Sequence, residues 1–374
     1  MRRIAALEGY RAEGFALPTG LFLNVRGPEP TDTPVHRMAR VREWSLDLSK
    51  LVEVDAIFNR VARGELDLAR AGAELARVSA AKSPYAKATG WLAVGAAGAA
   101  SAVFFRGKLI DVAFAAAIAL VLHGTKIFLS KKGPARFLQD FLFAFLASLF
   151  AYGASRMTPS VSREAIVLAA IVSRVPGMTL TTGLAEIAQK NLVSGGARLM
   201  EALVTLLSLT LGVAIAVSVG KGAVAIDFVG APREGLGLGF QIAAVVVASF
   251  SFGVIFAVPQ KWLWAALVSG AVGYSVSAFA LRSLPVYAAA FLASASVCAF
   301  ANGMARITDK PAQLYQIPGM MLLVPGTFGF LSMHELAQGH TIGATRAALV
   351  LLVAGGLVIG VIGANAVVPP RKIL

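Results

Sequence analysis

Apolar and polar positions divide the chain into two regions. From Val35, the stretch VHRMARVREWSLDLSKLVEVDAIFNRVARGELDLARAGAELARV repeats apolar residues at helical spacing, with charges on the other face. Gly64 followed by Glu65 predicts a break between two helices. Before it, GFALPTGLFLNVRGPEP (residues 14–30) is a strand-like apolar stretch followed by a Gly/Pro turn. We expect residues 1–88 to form a small, mostly helical, hydrophilic region.

Beyond residue 88, long apolar runs replace the alternation of charged and apolar positions. A bilayer core needs about 20 apolar residues per helix. The expected fold class is therefore an all-α polytopic membrane protein with about ten transmembrane helices. The fourth and ninth runs are too short to cross as simple helices, and each ends at a Pro-Gly pair. The predicted spans are 89–105, 109–129, 137–155, 161–176, 198–219, 236–258, 262–280, 285–303, 314–326 and 343–367.

Composition supports this division and suggests an orientation. The chain is 57% hydrophobic and 14% charged, where a soluble domain is nearer 25% charged. The first 88 residues hold 14 Lys/Arg and 11 Asp/Glu, and the other 286 hold only 20 and 9. With ten spans, the 20 basic residues divide into 12 on the side of the N-terminal region and 8 on the other side. We therefore expect a multi-pass protein of the cell inner (plasma) membrane with both termini cytoplasmic and with lipid, not nucleic acid, as its surroundings.

The two Pro-Gly pairs belong to a repeated segment. VPGMTLTTGLAEIAQ begins at Val175 and VPGTFGFLSMHELAQ begins at Val324, an offset of 149 residues. Each copy falls in a unit of about five spans, and an odd number makes the second unit enter the membrane from the opposite side. We expect two inverted five-helix repeats, residues 89–220 and 221–374, as in many secondary transporters. The identical pairs are Val175/Val324, Pro176/Pro325, Gly177/Gly326, Glu186/Glu335, Ala188/Ala337 and Gln189/Gln338.

A broken helix leaves peptide groups that lipid cannot satisfy. If a half-helix starts again after each Pro-Gly, its amides can hold a carboxylate. Glu186 and Glu335 could then pair with an amine or carry a proton. The alternative is that each Pro-Gly only ends a helix and that both glutamates reach into a loop. The substrate-binding candidates are Pro176, Gly177, Thr179, Thr182, Gln189, Pro325, Gly326, Thr327 and Gln338, with Thr181 as a further hydroxyl.

Other charged residues lie at predicted span ends, where functional and interfacial roles are both open. The acidic members are Asp111, Asp140 and Asp227, of which Asp111 is included among the candidates for charge or proton coupling. The basic members are Arg174 before the first Pro-Gly, and Arg198 and Arg346 at the starts of the fifth and tenth spans, and Arg198 is a coupling candidate as well.

Enzyme chemistry is not expected. HELAQGH, from His334 to His340, separates its histidines by six residues, which on an α-helix directs the rings about 240° apart and does not suit zinc. The chain has no P-loop, dinucleotide fingerprint or Gly-x-Ser-x-Gly motif. We expect no cofactor and no metal.

The chain resembles the threonine/serine exporter family along nearly its whole length. The resemblance rests on LPTGLFLNV and on the helical stretch of the N-terminal region, then on RVPGMTLTTGLAEIAQKNLVSGGARLMEAL and QIPGMMLLVPGTFGFLSMHELAQGHTIGATRAAL. It implies a ten-span protein that exports small hydroxy amino acids using the proton motive force. The family pattern falls on Pro176, Gly177, Glu186, Gly195 and Arg198 in the first half, and on Pro318, Gly319, Pro325 and Gly326 in the second.

These observations favour a proton-coupled exporter of threonine or serine, with an amino acid and protons as its partners. Two alternatives stay open. One is a dicarboxylate exporter, and the other is a membrane anchor or sensor in which the N-terminal region carries the function. Homo-oligomerisation is also left open by the sequence.

Overall fold

The structure, a computed structural model, describes residues 5–6, 9–29, 31–41, 46–130, 136–219, 234–324 and 326–370. It begins with an antiparallel sheet of β1 (Arg11–Leu17), β2 (Gly20–Arg26) and β3 (Val35–Arg40), in that order. The strand-like stretch of the sequence contributes to two strands, which a two-residue turn at Pro18 and Thr19 connects.

The helix predicted from Val35 is wrong for its first six residues, which form β3. Val35 pairs with Val25, and Met38 pairs with Phe22 on β2. The partners on β2 lie outside the segment whose helical spacing predicted a helix. Pairing with β2 satisfies the backbone hydrogen-bonding groups of these six residues. Tertiary pairing therefore overrides the local pattern.

Two capped helices follow the sheet, as the break at Gly64 predicts. Helix α1 (Leu48–Ala62) is capped by Asp47, which accepts a hydrogen bond from the Lys50 amide at 3.0 Å. Helix α2 (Leu68–Ala80) is capped in the same way by Asp67. Gly64 lies between them with φ +72°, a conformation that favours glycine.

The N-terminal region is docked on the apolar helices that follow. Leu48 is fully buried against Val258, Leu314 and Tyr315, and its amide donates to Phe256 O at 2.9 Å. The Tyr85 hydroxyl donates to Val258 O at 2.5 Å. Burial raises the pKa of Tyr85 to about 12, so this hydroxyl stays protonated and keeps donating at physiological pH.

Twelve helices with a largely apolar composition make up the rest of the described chain. They are α3 (Lys87–Phe104), α4 (Leu109–Ser130), α5 (Arg136–Met157), α6 (Arg163–Ile171), α7 (Gly177–Ala188), α8 (Leu192–Val219), α9 (Leu238–Ile255), α10 (Leu263–Ala280, after a 3₁₀ turn at Gln260–Trp262), α11 (Val286–Thr308), α12 (Gln313–Met321), α13 (Gly326–Ala337) and α14 (Ile342–Val367).

By length and composition, seven helical segments of the described chain can cross a membrane, where the sequence predicts about ten. One of the seven, Gln313–Ala337, contains both α12 and α13. Leu109–Thr125 is apolar but shorter than the others. The chain is thus a multi-pass membrane protein, largely helical, with a small sheet in its N-terminal region.

Hydrogen bonds between loops assign the helix ends to two sides of the helical body. On the near side, Gln260 Nε2 before α10 donates to Pro84 O just before α3, and Leu48 of the docked region packs on Leu314 at the start of α12. On the far side, the Ser162 amide at the start of α6 donates to Asp111 at the start of α4. Helix α6 therefore starts on the far side and α7 ends on the near side, whereas α12 starts on the near side and α13 ends on the far side.

The helices from α3 to α8 contact one another in the same pairs as those from α9 to α14. Thus α5 packs along α8 as α11 packs along α14, and α7 packs on α8 as α13 packs on α14. Contacts between the two sets are matched as well, because α3 meets α9, α7 meets α13 and α14, and α13 meets α7 and α8.

Candidate functional site

Both repeated segments contain a helix that stops and starts again. Helix α6 ends at Ile171, and α7 begins at Gly177 directly after Pro176, which has no amide hydrogen to donate. In the second copy α12 ends at Met321 and α13 begins at Gly326. Pro325 lies outside the described residues. The half-helices predicted after the two Pro-Gly pairs are therefore present.

The two breaks lie against each other, although they are far apart in the sequence. A β-carbon placed on Gly177 would lie 3.0 Å from the Gly326 amide nitrogen and would collide with the Val324 side chain. A β-carbon on Gly326 would lie 2.9 Å from Val175 Cγ1 and 3.1 Å from Gly177 N. The absence of side chains at both positions lets the N-termini of α7 and α13 meet, so the positive ends of two helix dipoles converge.

Threonine side chains surround this junction. Thr179 and Thr181 are buried on the first turns of α7, and the Thr181 hydroxyl donates to Gly177 O at 3.1 Å. Thr182 and Thr327 are partly buried on the first turns of α7 and α13. The structure thus places the predicted hydroxyl groups within one or two turns of the two breaks.

The two glutamates lie at the other ends of the half-helices. Nine residues of α-helix span about 13 Å, so Glu186 and Glu335 are not beside Gly177 and Gly326. Because α7 ends on the near side and α13 on the far side, the two carboxylates lie on opposite sides of the helical body. The sequence interpretation did not place them there.

Both carboxylate oxygens of Glu186 have partners on α8. Its Oε1 pairs with Arg198 Nε at 2.9 Å, and its Oε2 accepts from Ser194 Oγ at 2.6 Å. The side chain is 22% exposed. A glycine allows α7 and α8 to approach, because a β-carbon on Gly195 would lie 2.6 Å from Gly183 O. Arg198, a predicted coupling residue, is thus the partner of Glu186.

Glu335 forms the corresponding ion pair with Arg346 on α14. Its side chain is only 1% exposed, and its Oε2 has no hydrogen-bond partner within the described chain. A β-carbon on Gly343 would lie 2.9 Å from Ser332 O, so α13 and α14 approach as closely as the first hairpin does. The two hairpins share one construction, but the second carboxylate is more deeply buried.

The remaining predicted residues are not brought to the breaks. Gln189 and Gln338 are exposed beyond the ends of α7 and α13, and Gln338 Nε2 lies 3.0 Å from His334 Nε2. Asp111 is fully buried, and its two oxygens accept from the Lys108 and Ser162 amides, each at 2.7 Å. Asp111 therefore joins the starts of α4 and α6. Asp227 lies outside the described residues.

One ion pair beside the first break was not predicted as a pair. Arg174, three residues before Gly177, pairs with Asp140 on α5, and its guanidinium carbon lies 4.9 Å from the centre of the Phe143 ring. Each residue was identified separately as a charged residue at a predicted span end. The two are 34 residues apart, and no local spacing connects them. Within the described chain, no group of three or more His, Cys, Asp or Glu residues could hold a metal ion.

Comparisons with known proteins cover most of the chain. A family model described as "Putative threonine/serine exporter" matches residues 1–220, and one described as "Threonine/Serine exporter, ThrE" matches residues 241–367. No solved structure matches.

Three curated relatives are similar to the chain. A "Threonine/serine exporter" of Corynebacterium glutamicum is 26% identical over 346 residues, which are 88% of this chain and 69% of the relative. A "Probable threonine/serine exporter" of Mycobacterium tuberculosis is 30% identical over 50% of this chain and 35% of its own length. An uncharacterised protein of Schizosaccharomyces pombe is 31% identical over 45% of this chain.

The chain spans only 21% and 35% of the lengths of the S. pombe and M. tuberculosis relatives. The family assignment rests instead on the family models, because the first alone matches residues 1–220, more than half of this chain. The chain therefore belongs to the threonine/serine exporter family.

Proposed function

We propose that the protein is a proton-driven secondary exporter of small hydroxy amino acids, threonine or serine, in the plasma membrane, with both termini in the cytoplasm. The observation that carries the proposal is the meeting of two broken helices at Gly177 and Gly326. Broken helices at matching positions of two repeats are the usual pointer to a transporter's substrate site. The names of the two exporter relatives agree with an amino acid as the substrate.

Inverted repeats are supported by the matched helix contacts. Each contact within the first set of helices has its counterpart in the second, and the contacts between the sets are reciprocal. The near-to-far direction of the second broken segment is opposite to that of the first. Two units related in this way can rock against each other around a fixed centre, which gives alternating access.

At that centre, the first-turn amides of α7 and α13 are the proposed ligands for the substrate carboxylate. Two converging helix N-termini repel each other, and an anion between them relieves the repulsion. The threonine hydroxyls on the same turns provide polar partners for a hydroxy amino acid. In the described conformation the two breaks are in contact, so binding requires them to separate.

The two ion pairs are the proposed closures of the pathway. Glu186 and Arg198 hold the α7–α8 hairpin on the near side, while Glu335 and Arg346 hold the α13–α14 hairpin on the far side. Protonation of either glutamate removes half of an ion pair and loosens its hairpin. Glu335 is the better candidate for coupling, because its carboxylate is buried and one of its oxygens has no hydrogen-bond partner within the described residues.

The test is efflux of labelled threonine from proteoliposomes that contain the full chain, with and without an imposed pH gradient. We expect the gradient to accelerate efflux and Glu335→Gln to abolish that acceleration. Movement of succinate in place of threonine would favour the dicarboxylate alternative. If neither solute moves through protein that elutes as a folded species, the transporter proposal is wrong and an anchor or sensor becomes the better explanation.

A further inference from the structure

The ion pair between Asp140 and Arg174 is buried beside the first Pro-Gly break. The Asp140 side chain is 2% exposed and that of Arg174 is 13% exposed. Arg174 packs over Phe143, and its Nε has no acceptor within the described residues. A guanidinium held in apolar surroundings with a free donor is poised to accept a second anionic partner.

The repeat is built without this pair in its second copy. Matching helix contacts place Ala290 opposite Asp140, because Phe141 O faces Gly212 as Phe291 O faces Gly360. Around the break, the offset of 149 residues places Leu323 opposite Arg174. The backbone of the turn is the same in both copies, because Arg174 N donates to Ile171 O at 2.8 Å and Leu323 N donates to Met320 O at 3.0 Å. The fold of the break therefore does not need the two charges.

Stability gives no better reason for the pair. Removing two charges from water costs free energy that their attraction often fails to recover, and apolar residues commonly replace a buried ion pair without loss. The second copy shows such a replacement in the same fold. A charge pair retained in one copy only, next to the break, points to a ligand that carries both charges.

We infer that Asp140 and Arg174 recognise the two charges of a zwitterionic amino acid, with Asp140 binding its ammonium group and Arg174 binding its carboxylate beside the first-turn amides of α7 and α13. This inference rests on the proposed function and names the residues that select the substrate. One acidic and one basic group match a zwitterion, whereas a dicarboxylate would leave Asp140 facing a like charge. In the structure the two side chains pair with each other.

The same pair makes protons compete with the substrate. Asp140 must be ionised to bind the ammonium group, and a proton on its carboxylate removes that charge. No covalent bond changes, and one proton leaves Asp140 for each amino acid that binds to the protonated form. This competition acts on binding and is separate from the response of efflux to the pH gradient, which the proposed function assigns to Glu335.

Other titratable groups surround α5 and have to be separated from Asp140 in a test. They belong to α4, α6 and α8, which pack against α5, and to α13, which joins the same apolar cluster. Arg174 is the cation paired with Asp140, while Asp111, Glu164 and Arg198 bond elsewhere. The described titratable residues on these helices are Asp111, His123, Arg163, Glu164, Arg198, Glu201, His334 and Glu335.

The experiment measures binding of three ligands to the purified full chain: threonine, threoninol, which lacks the carboxylate, and 3-hydroxybutyrate, which lacks the ammonium group. We expect wild type to bind threonine at least tenfold more tightly than either analogue. Arg174→Gln should lose most of the preference for threonine over threoninol, and Asp140→Asn should lose most of the preference for threonine over 3-hydroxybutyrate. A pair that is only structural would weaken all three ligands together.

The pH dependence gives a second readout. At pH values low enough for Asp140 to be mostly protonated, the dissociation constant of threonine for wild type should rise by about tenfold per pH unit, the slope of one competing proton. In Asp140→Asn this rise should disappear, whereas Glu164→Gln and Glu201→Gln, which leave Asp140 in place, should keep it. The double variant Asp140→Asn/Arg174→Gln resembles the uncharged second copy and serves as the folding control.

Two results separate failure of this inference from failure of the proposed function. If wild type transports threonine but both single variants keep its ligand preferences and its pH slope, the assignment of Asp140 and Arg174 is wrong. If wild type neither binds nor transports threonine, the proposed function fails, and the inference fails with it.

Discussion

Gly177 and Gly326 touch across the interface between the two repeated segments, although 149 residues separate them along the chain. Each glycine begins a half-helix, and each leaves room for the backbone of the other. This contact makes the centre of the molecule sensitive to single methyl groups.

Gly177→Ala should impair both folding and transport. The added β-carbon collides with Val324 and crowds Gly326, and overpacking of this kind costs about 1–3 kcal/mol. Thermal unfolding and threonine efflux are the measurements. Gly153→Ala on α5 is the control, since a β-carbon there meets nothing within 4 Å. Equal melting temperatures for the two variants would contradict the contact.

Neighbouring glycines at the start of α8 offer a sharper comparison. Gly195→Ala places a β-carbon 2.6 Å from Gly183 O, whereas Gly196→Ala adds one in open space. We expect Gly195→Ala to lower the free energy of unfolding by about 1–3 kcal/mol. Gly196→Ala should instead be neutral or slightly stabilising, because alanine favours helix. The reverse order of stability would mean that α7 and α8 do not pack as described.

The two matched glutamates should respond unequally to neutralisation. Glu335 is buried with one oxygen unsatisfied, while Glu186 is partly exposed and bonded through both oxygens. Since an ion pair partly open to water contributes only about 1 kcal/mol, Glu186→Gln should change the efflux rate by less than about fivefold. Glu335→Gln should lose the response to the pH gradient, while exchange of threonine without a gradient continues. Equal effects would assign coupling to both hairpins.

Asp111→Asn should reduce stability and leave coupling intact. Each oxygen of Asp111 accepts a hydrogen bond from one backbone amide, and asparagine replaces one of these oxygens by an NH2 group, which cannot accept. One buried backbone amide then has no acceptor, which costs about 1–3 kcal/mol. A lower melting temperature with an unchanged ratio of gradient-driven to gradient-free efflux is the expected result. A changed ratio would return Asp111 to the coupling residues that the sequence suggested.

The docking of the N-terminal region can be tested at Leu48. Leu48→Ala removes a fully buried side chain between α1 and the membrane helices, which should cost about 2–5 kcal/mol of local stability. Limited proteolysis near residues 81–86 should then release the region faster. Leu75→Ala, at an exposed position of α2, is the matched control and should be cleaved at the rate of wild type.

Sequence reasoning identified what is encoded locally. Pro176 and Gly177 interrupt a helix because of their own backbone chemistry, and Gly64 ends α1 for a similar reason. The duplicated segment supplied the second break at Gly326 without any knowledge of packing. Features of this kind depend on a few adjacent residues, so they can be predicted from the sequence alone.

The remaining features depend on contacts between distant segments. Arg198 was a candidate, but its partner Glu186 could be assigned only once α7 and α8 were seen side by side. No periodicity in the sequence indicates the pairing of Asp140 with Arg174. Strand β3 forms because it pairs with β2, about ten residues earlier in the chain. The positions of the two glutamates at opposite ends likewise follow from the direction of each half-helix and not from composition.

The contact between Gly177 and Gly326 can form only after the chain between them has been synthesised. A ribosome that adds about 5–20 residues per second needs roughly 7–30 s to make the chain between the two. If the first break enters the membrane during that interval, it does so without the half that will cover it. The nascent first half must hold its exposed peptide groups by other means, with water or with an insertion partner, until α13 arrives and closes the centre.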